Sequence, residues 1–205
     1  MNGLLEGIAR SIAALSPWEA VAVVLAIAYL LLAMRESIWC WYCAFVSTAI
    51  YTVLLWNVSL LMESLLNVYY MGMAVYGWWQ WRRGGEQHEG VTIRRWGLKH
   101  HLFTIGGIVL VSLISGYFLK NGTSAEWPYV DSFTTWASVI TTWMVAKKIL
   151  ENWLYWIVID TTCVFMYFDR GLHLSSLLFA AYVVIVIFGY FKWRAHERQG
   201  DLAVA

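Results

Sequence analysis

The sequence predicts an all-α membrane protein of seven transmembrane helices, laid out as two parallel three-helix repeats joined by a linker helix, a 3+1+3 order. Three observations predict it: apolar runs close to bilayer length, basic residues gathered in alternate loops, and a self-match at a fixed offset. Of 205 residues, 60% are apolar and 13% charged, against about 45–50% and about 25% in soluble domains. The apolar residues arrive in runs near the roughly 20 that cross a hydrocarbon core of about 30 Å, not in the patterns of a soluble core.

From the N-terminus, residues 1–17 lack a basic n-region and precede several spans, so they read as a retained N-terminal segment and not a cleaved signal. Spans over 18–34, 37–56 and 59–81 form the first repeat, 18–81. A loop, 82–98, leads into a linker helix over 99–119. Spans over 131–148, 150–169 and 172–193 form the second repeat, 131–193, and 194–205 is a C-terminal tail. Trp18, Trp56, Trp81, Trp127 and Trp193 lie near span ends, where indoles anchor at the membrane–water interface.

An odd number of spans puts the termini on opposite sides, and short cytoplasmic loops hold the excess of Arg and Lys. With the N-terminus outside, the inner side holds Arg35, Arg82, Arg83, Arg94, Arg95, Lys99, Lys147, Lys148, Lys192, Arg194 and Arg198, against Arg10, Lys120 and Arg170 outside. That predicts a multi-pass protein of a bacterial inner membrane, with the C-terminus and the loop 82–98 cytoplasmic. Net charge is only +1, without a broad basic patch. Membrane lipids, not nucleic acid, are the expected surroundings.

Sliding the chain by 112 residues aligns 35–82 with 147–194 without a gap, and ten of 48 positions are identical. Trp41/Trp153, Gly77/Gly189, Trp81/Trp193 and Arg82/Arg194 weigh most, because membrane composition alone does not produce them. The linker adds one crossing, so both copies run the same way, related by an axis along the membrane normal as in several transporter folds.

Ionisable and amide groups inside a bilayer are costly and call for an explanation. Glu63, Asn67 and Tyr70 share one face of the third span, and Asn152, Trp156 and Asp160 share one face of the sixth. The offset mates of the second stripe are Cys40, Ala44 and Thr48, so bulk and polarity enter one copy alone, which points to a solute site. Asn67, Tyr70, Gln80, Asn152, Trp156 and Asp160 are the expected substrate-binding residues. Glu63, Trp41, Thr48 and Tyr182 are expected as gate or secondary residues. Interhelical hydrogen bonding is the packing alternative for either asparagine, interfacial anchoring for Gln80, and packing between the copies for Tyr70 and Tyr182.

Aromatics make up 17% of the chain, including fourteen tryptophans. Their rings offer stacking surfaces for a planar heterocycle, a cationic one gaining about 0.5–2 kcal/mol. Cys40, Cys43 and Cys163 lie inside apolar runs and the five histidines near run ends or in loops, so neither a metal nor a cofactor is expected. The chain lacks HExxH, GxSxG and GxxxxGKS, which argues against an enzyme and against direct ATP drive.

Tyr76-Gly-Trp-Trp-Gln-Trp81, with Glu63-Ser-Leu-Leu-Asn67 upstream, Asp131-Ser132, and Glu151-Asn-Trp-Leu-Tyr-Trp156 running on to Asp160 together resemble the nicotinamide riboside transporter (PnuC) family. The resemblance covers nearly the whole chain. It implies facilitated diffusion of nicotinamide riboside for NAD biosynthesis by alternating access, a homotrimer, and a relation to SWEET-type sugar carriers. For such a solute the expected roles are stacking of the pyridinium on Trp156 or another ring, bonding of its amide or the ribose hydroxyls by Asn152 and Asn67, and for Asp160 either offsetting the ring charge or accepting a hydroxyl proton. Asn67 stands where the family more usually has Gln, and Ala74 where some members have Asn. A carrier for a sugar, another nucleoside or a thiamin-like cation is the alternative, ahead of an intramembrane enzyme, a proton channel or a structural subunit.

Overall fold

A computed structural model describes residues 16–57, 61–85, 88–123 and 126–204. The expected N-terminal segment, up to residue 15, and the start of the expected third span at 59 lie outside the described residues. The rest forms seven helices: α1 (Pro17–Met34), α2 (Trp39–Asn57), α3 (Leu61–Arg83), α4 (Leu98–Gly122), α5 (Pro128–Ala146), α6 (Asn152–Asp169) and α7 (His173–Val204). The segment after residue 193, expected as a tail, continues α7 as helix.

Local chemistry sets the boundaries. Ser16 caps α1 through the Glu19 backbone N–H, and the Glu19 side chain returns to the Ser16 backbone, a reciprocal pair that satisfies two orphan donors. Pro17 and Pro128 each sit in a first turn, where the missing N–H costs nothing. α1 and α5 end alike: Ser37 N–H donates to Leu32 O and Glu36 N–H to Ala33 O, while Ile149 N–H donates to Met144 O and Lys148 N–H to Val145 O. These are Schellman closures, whose left-handed residue is usually glycine. Here it is Glu36 (φ 54°) in one and Lys148 (φ 49°) in the other. The turn after α6 uses Gly171 (φ 72°) at the same place.

α1 packs on α2 and α7, α2 on α3, α3 on α5, α5 on α6, and α6 on α7, so six helices close a ring, and α4 lies outside it against α5. α1, α2, α4 and the His173–Gln199 part of α7 are by length and composition apolar enough to cross a membrane. The other three fall short because they carry the polar side chains: Glu63, Asn67 and Gln80 on α3, a run of serines and threonines on α5, and Asn152 and Asp160 on α6. Ser132, Thr134, Ser138, Thr141, Thr142, Asn152 and Asp160 are all buried, while the aliphatic and aromatic faces of α2 and α4 are exposed. That is the inverse of a soluble protein, and it fits helices whose outer solvent is hydrocarbon.

The best-packed layer sits at the Arg-rich end. Trp41 stands edge-on to Trp81 at 5.3 Å and Trp153 edge-on to Trp193 at 5.3 Å. Trp81 Nε1 donates to Val145 O at 3.2 Å, and Trp193 Nε1 to Ala33 O at 3.0 Å. A Cβ on Gly77 would overlap the Trp41 indole, and one on Gly189 would lie 2.6 Å from the Trp153 ring. Ser64 Oγ donates to Thr52 O and Ser176 Oγ to Val164 O, both at 2.9 Å. In each of these pairs the two members stand 112 residues apart.

The loop after α3 is pinned to the turn before α6. Arg94 N–H donates to Lys148 O and Leu150 N–H to Arg94 O, Trp96 N–H donates to the Glu151 carboxylate, and Arg95 pairs with Glu197 on α7.

Candidate transport site

Inside the ring, the group that most needs explaining is Asp160. It is 3% exposed, and no described residue offers its carboxyl a hydrogen bond or an ion pair. A bare carboxylate in such a place is costly until a proton or a cationic partner neutralises it. Around it stand Cys163 on its own helix and Tyr182 on α7, which in turn neighbours Tyr51 of α2. Tyr70 of α3 lies in the neighbourhood of Cys163, of Tyr29 and of Ser138 on α5. Trp156, one helical turn from Asp160, is half-buried and packs against both apolar clusters of the molecule. The arrangement offers a flat ring, a lone carboxylate and several phenol hydroxyls, the fittings for a planar group joined to a polyol.

Of the expected site residues, Trp156 and Tyr182 lie nearest Asp160, Tyr70 lies on the side of Cys163, and the others stand apart. Asn152 is fully buried in the first turn of α6, with Nδ2 donating to Ile149 O at 2.6 Å and Oδ1 without a partner. It lies about 12 Å along the axis from Asp160, next to the tryptophan layer. Asn67 bonds back to Glu63 O on its own helix, and Glu63 is exposed at the start of α3. Gln80 is buried about 20 Å along α3 from Asn67. Its Nε2 donates to Tyr76 and its backbone carbonyl takes Gly84 and Val91, so it fastens the loop. Trp41 belongs to the tryptophan layer, and Thr48 bonds back to Ala44 O.

Sequence reading missed Tyr29, Tyr51, Ser138 and Cys163. The usable signal was on α5, where Thr134, Ser138, Thr141 and Thr142 recur at helical spacing on the buried face. Thr141 and Thr142 return their hydroxyls to Ala137 O and Ser138 O at 2.7 Å. Among the described residues, no cluster of His, Cys, Asp and Glu could hold a metal ion. A cavity of about 690 Å³ between α3, α4 and α5 is lined by Tyr69, Ile108, Val111, Trp136 and Trp143 among others, and by none of the expected site residues.

At the Arg-rich end the two halves of the ring are tied. Lys148 Nζ reaches the Glu36 carboxylate at 2.7 Å and lies 4.8 Å from the Trp81 ring centre, and His196 of α7 meets the same carboxylate at 2.6 Å. Burial pushes the Glu36 carboxyl up, but the hydrogen bonds and charges of Lys148 and His196 outweigh it and hold it below its ordinary value. At the opposite end, Arg170 pairs with Asp131 at 3.0 Å, joining neighbouring helices of one half only.

The chain is similar to known proteins over most of its length. A family model described as nicotinamide mononucleotide transporter matches residues 16–195. The riboflavin/roseoflavin transporter RibM of Streptomyces davaonensis is 24% identical over 193 residues, spanning 91% of this chain and 88% of that protein. The nicotinamide riboside transporter PnuC of Escherichia coli is 22% identical over 206 residues, spanning 88% and 86%. A crystal structure of the vitamin B3 transporter PnuC superposes with a TM-score of 0.68 at 20% identity, covering 94% of this chain and 88% of that one.

Proposed function

Since the chain belongs to the nicotinamide mononucleotide transporter family and is thereby a multi-pass membrane transporter, we propose that its substrate is nicotinamide riboside, moved by facilitated diffusion. Asp160 carries this reading. A neutral flavin would leave that carboxylate without a counter-charge, whereas a pyridinium riboside supplies one, with Trp156 to stack the ring and Tyr70 and Tyr182 to meet the ribose hydroxyls. Asn152 is closed off in this conformation and joins the site only if the α6 start moves. The second reading is riboflavin, favoured by the match to RibM.

In this reading the chain is two parallel three-helix copies, 18–81 and 131–193, with 99–119 as linker, akin to SWEET-type carriers. The 112-residue offset of the tryptophan, glycine and serine contacts supports it. The Arg-rich end is the cytoplasmic gate, closed here by Glu36, Lys148 and the paired indoles, and rocking of one copy against the other opens it. The N-terminus is outside, the C-terminus cytoplasmic, the membrane a bacterial inner membrane and the assembly a homotrimer. Asp160→Asn tests the substrate: uptake of labelled riboside into proteoliposomes drops by about tenfold or more, the scale of one lost charged contact, while riboflavin uptake does not. Equal loss of both, or of neither, contradicts the assignment.

A further inference from the structure

The two ends of the 112-residue offset differ in one place that the transport reading does not use. Between the start of α6 and the end of α7, the loop after α3 fills a recess: Arg95 pairs with Glu197, Trp96 N–H donates to the Glu151 carboxylate, and the Arg94 backbone bonds Lys148 and Leu150. Among the described residues, no such segment fills the matching recess between the start of α2 and the end of α3. It is an open cavity of about 490 Å³ lined by Ile38, Trp39, Tyr42, Trp78, Trp81 and Arg82.

Its charge is reversed. Where the filled recess has Glu197 to receive Arg95 and Glu151 to receive the Trp96 backbone N–H, the open one has Gly85 and Trp39. Arg82, held 5.4 Å from the Trp78 ring centre, has no carboxylate partner among the described residues. Trp78 Nε1 is buried without an acceptor, and the Ile38 backbone N–H, whose mate Leu150 bonds the loop, has no described partner either. The lining therefore presents donors and a cation, with no acidic side chain. Trp39 is 64% exposed, Tyr42 and Trp79 46% each, and below them run the exposed apolar faces of Phe45, Val46 and Val75. A soluble anion would leave those faces unused, whereas a phospholipid covers both halves.

The geometry points to a binding site for one anionic phospholipid in this recess, its phosphate on Arg82 and Trp78 Nε1 and its acyl chains along α2 and α3. The inference rests on the membrane setting and not on the identity of the transported solute, so failure of riboside uptake leaves it standing. Native mass spectrometry of the detergent-purified full chain, titrated with phosphatidylglycerol or phosphatidylcholine, tests it. The wild type retains one phosphatidylglycerol with about five- to tenfold preference, the worth of one well-placed surface cation. Arg82→Gln and, independently, Trp39→Glu, which restores the acid of the filled recess, abolish the preference, and Arg83→Gln keeps it. The site is refuted if the wild type shows no preference, or if Trp39→Glu and Arg82→Gln retain it. Equal loss with Arg83→Gln also overturns it, as a bulk charge effect, and full displacement by inorganic phosphate overturns the lipid in favour of a soluble anion.

Discussion

Glu36→Gln is the perturbation that speaks most directly to the closed end. Glu36 and Lys148 are the left-handed residues of two matching helix ends, a position that normally favours glycine, and they meet at 2.7 Å with side chains 18% and 12% exposed. A charge-assisted hydrogen bond of that burial contributes about 1.5–3 kcal/mol. The second contact, to a His196 side chain 54% exposed, adds under about 1 kcal/mol after solvent screening. Glutamine keeps an acceptor, so the net loss is about 1–2 kcal/mol, a factor of about 5–30 in the closed-to-open ratio. The assay is alkylation of Cys40, fully buried beneath this end, by a membrane-impermeant maleimide in a Cys43→Ala, Cys163→Ala background. Labelling rises by that factor at neutral pH. Because Glu36 is held below its ordinary value of 4.5 in the closed form, its contribution is complete above that value and fades only as pH falls through the lowered one. Unchanged labelling in Glu36→Gln would remove the gate from the account.

The remaining predictions concern the layer beneath that gate and the rings deeper in. Gly77→Ala and Gly189→Ala each force an indole that is already edge-on against a second one to move, costing about 1–3 kcal/mol; lowered melting temperatures of similar size in detergent check it. Trp81→Phe and Trp193→Phe each leave a buried carbonyl without its indole donor and lose about 0.5–1.5 kcal/mol, read by the same melting assay. Trp156→Ala raises the KM for riboside by about tenfold through lost stacking, whereas Gln80→Ala, which removes a bond to Tyr76 within α3 and keeps the backbone carbonyl that holds the loop, leaves KM within about twofold.

How far the fold and site were legible depended on the kind of signal. Helices are read well because a bilayer demands long apolar runs, and the linker expected from residue 99 begins at Leu98. Trp81, Trp193, Gly77 and Gly189 stood out as an internal match before any contact was known, since rare residues at a fixed offset carry more information than leucine. The lone carboxylate was legible too, because Asp160 is conspicuous in an apolar helix. What failed was depth and direction. Asn152 shares a face with Asp160 by spacing, yet as the first residue of α6 it turns its amide onto Ile149 O in the turn below. Gln80 turns its amide back onto Tyr76 of its own helix while its backbone carbonyl takes the returning loop, and spacing alone shows neither. Ser138 and Cys163 escaped because small polar residues within helices often bond back to their own backbone, as Thr141 and Thr142 do, and only packing shows which of them lie near Tyr70.

Uptake of labelled nicotinamide riboside by purified protein in sealed liposomes tests the central claim. The account predicts saturable entry that stops at equal concentrations inside and out, unaffected by sodium or proton gradients, and lost in a Trp156→Ala, Asp160→Asn double variant that still folds. Accumulation above the outside concentration under an ion gradient, or wild-type uptake by that double variant, would contradict it.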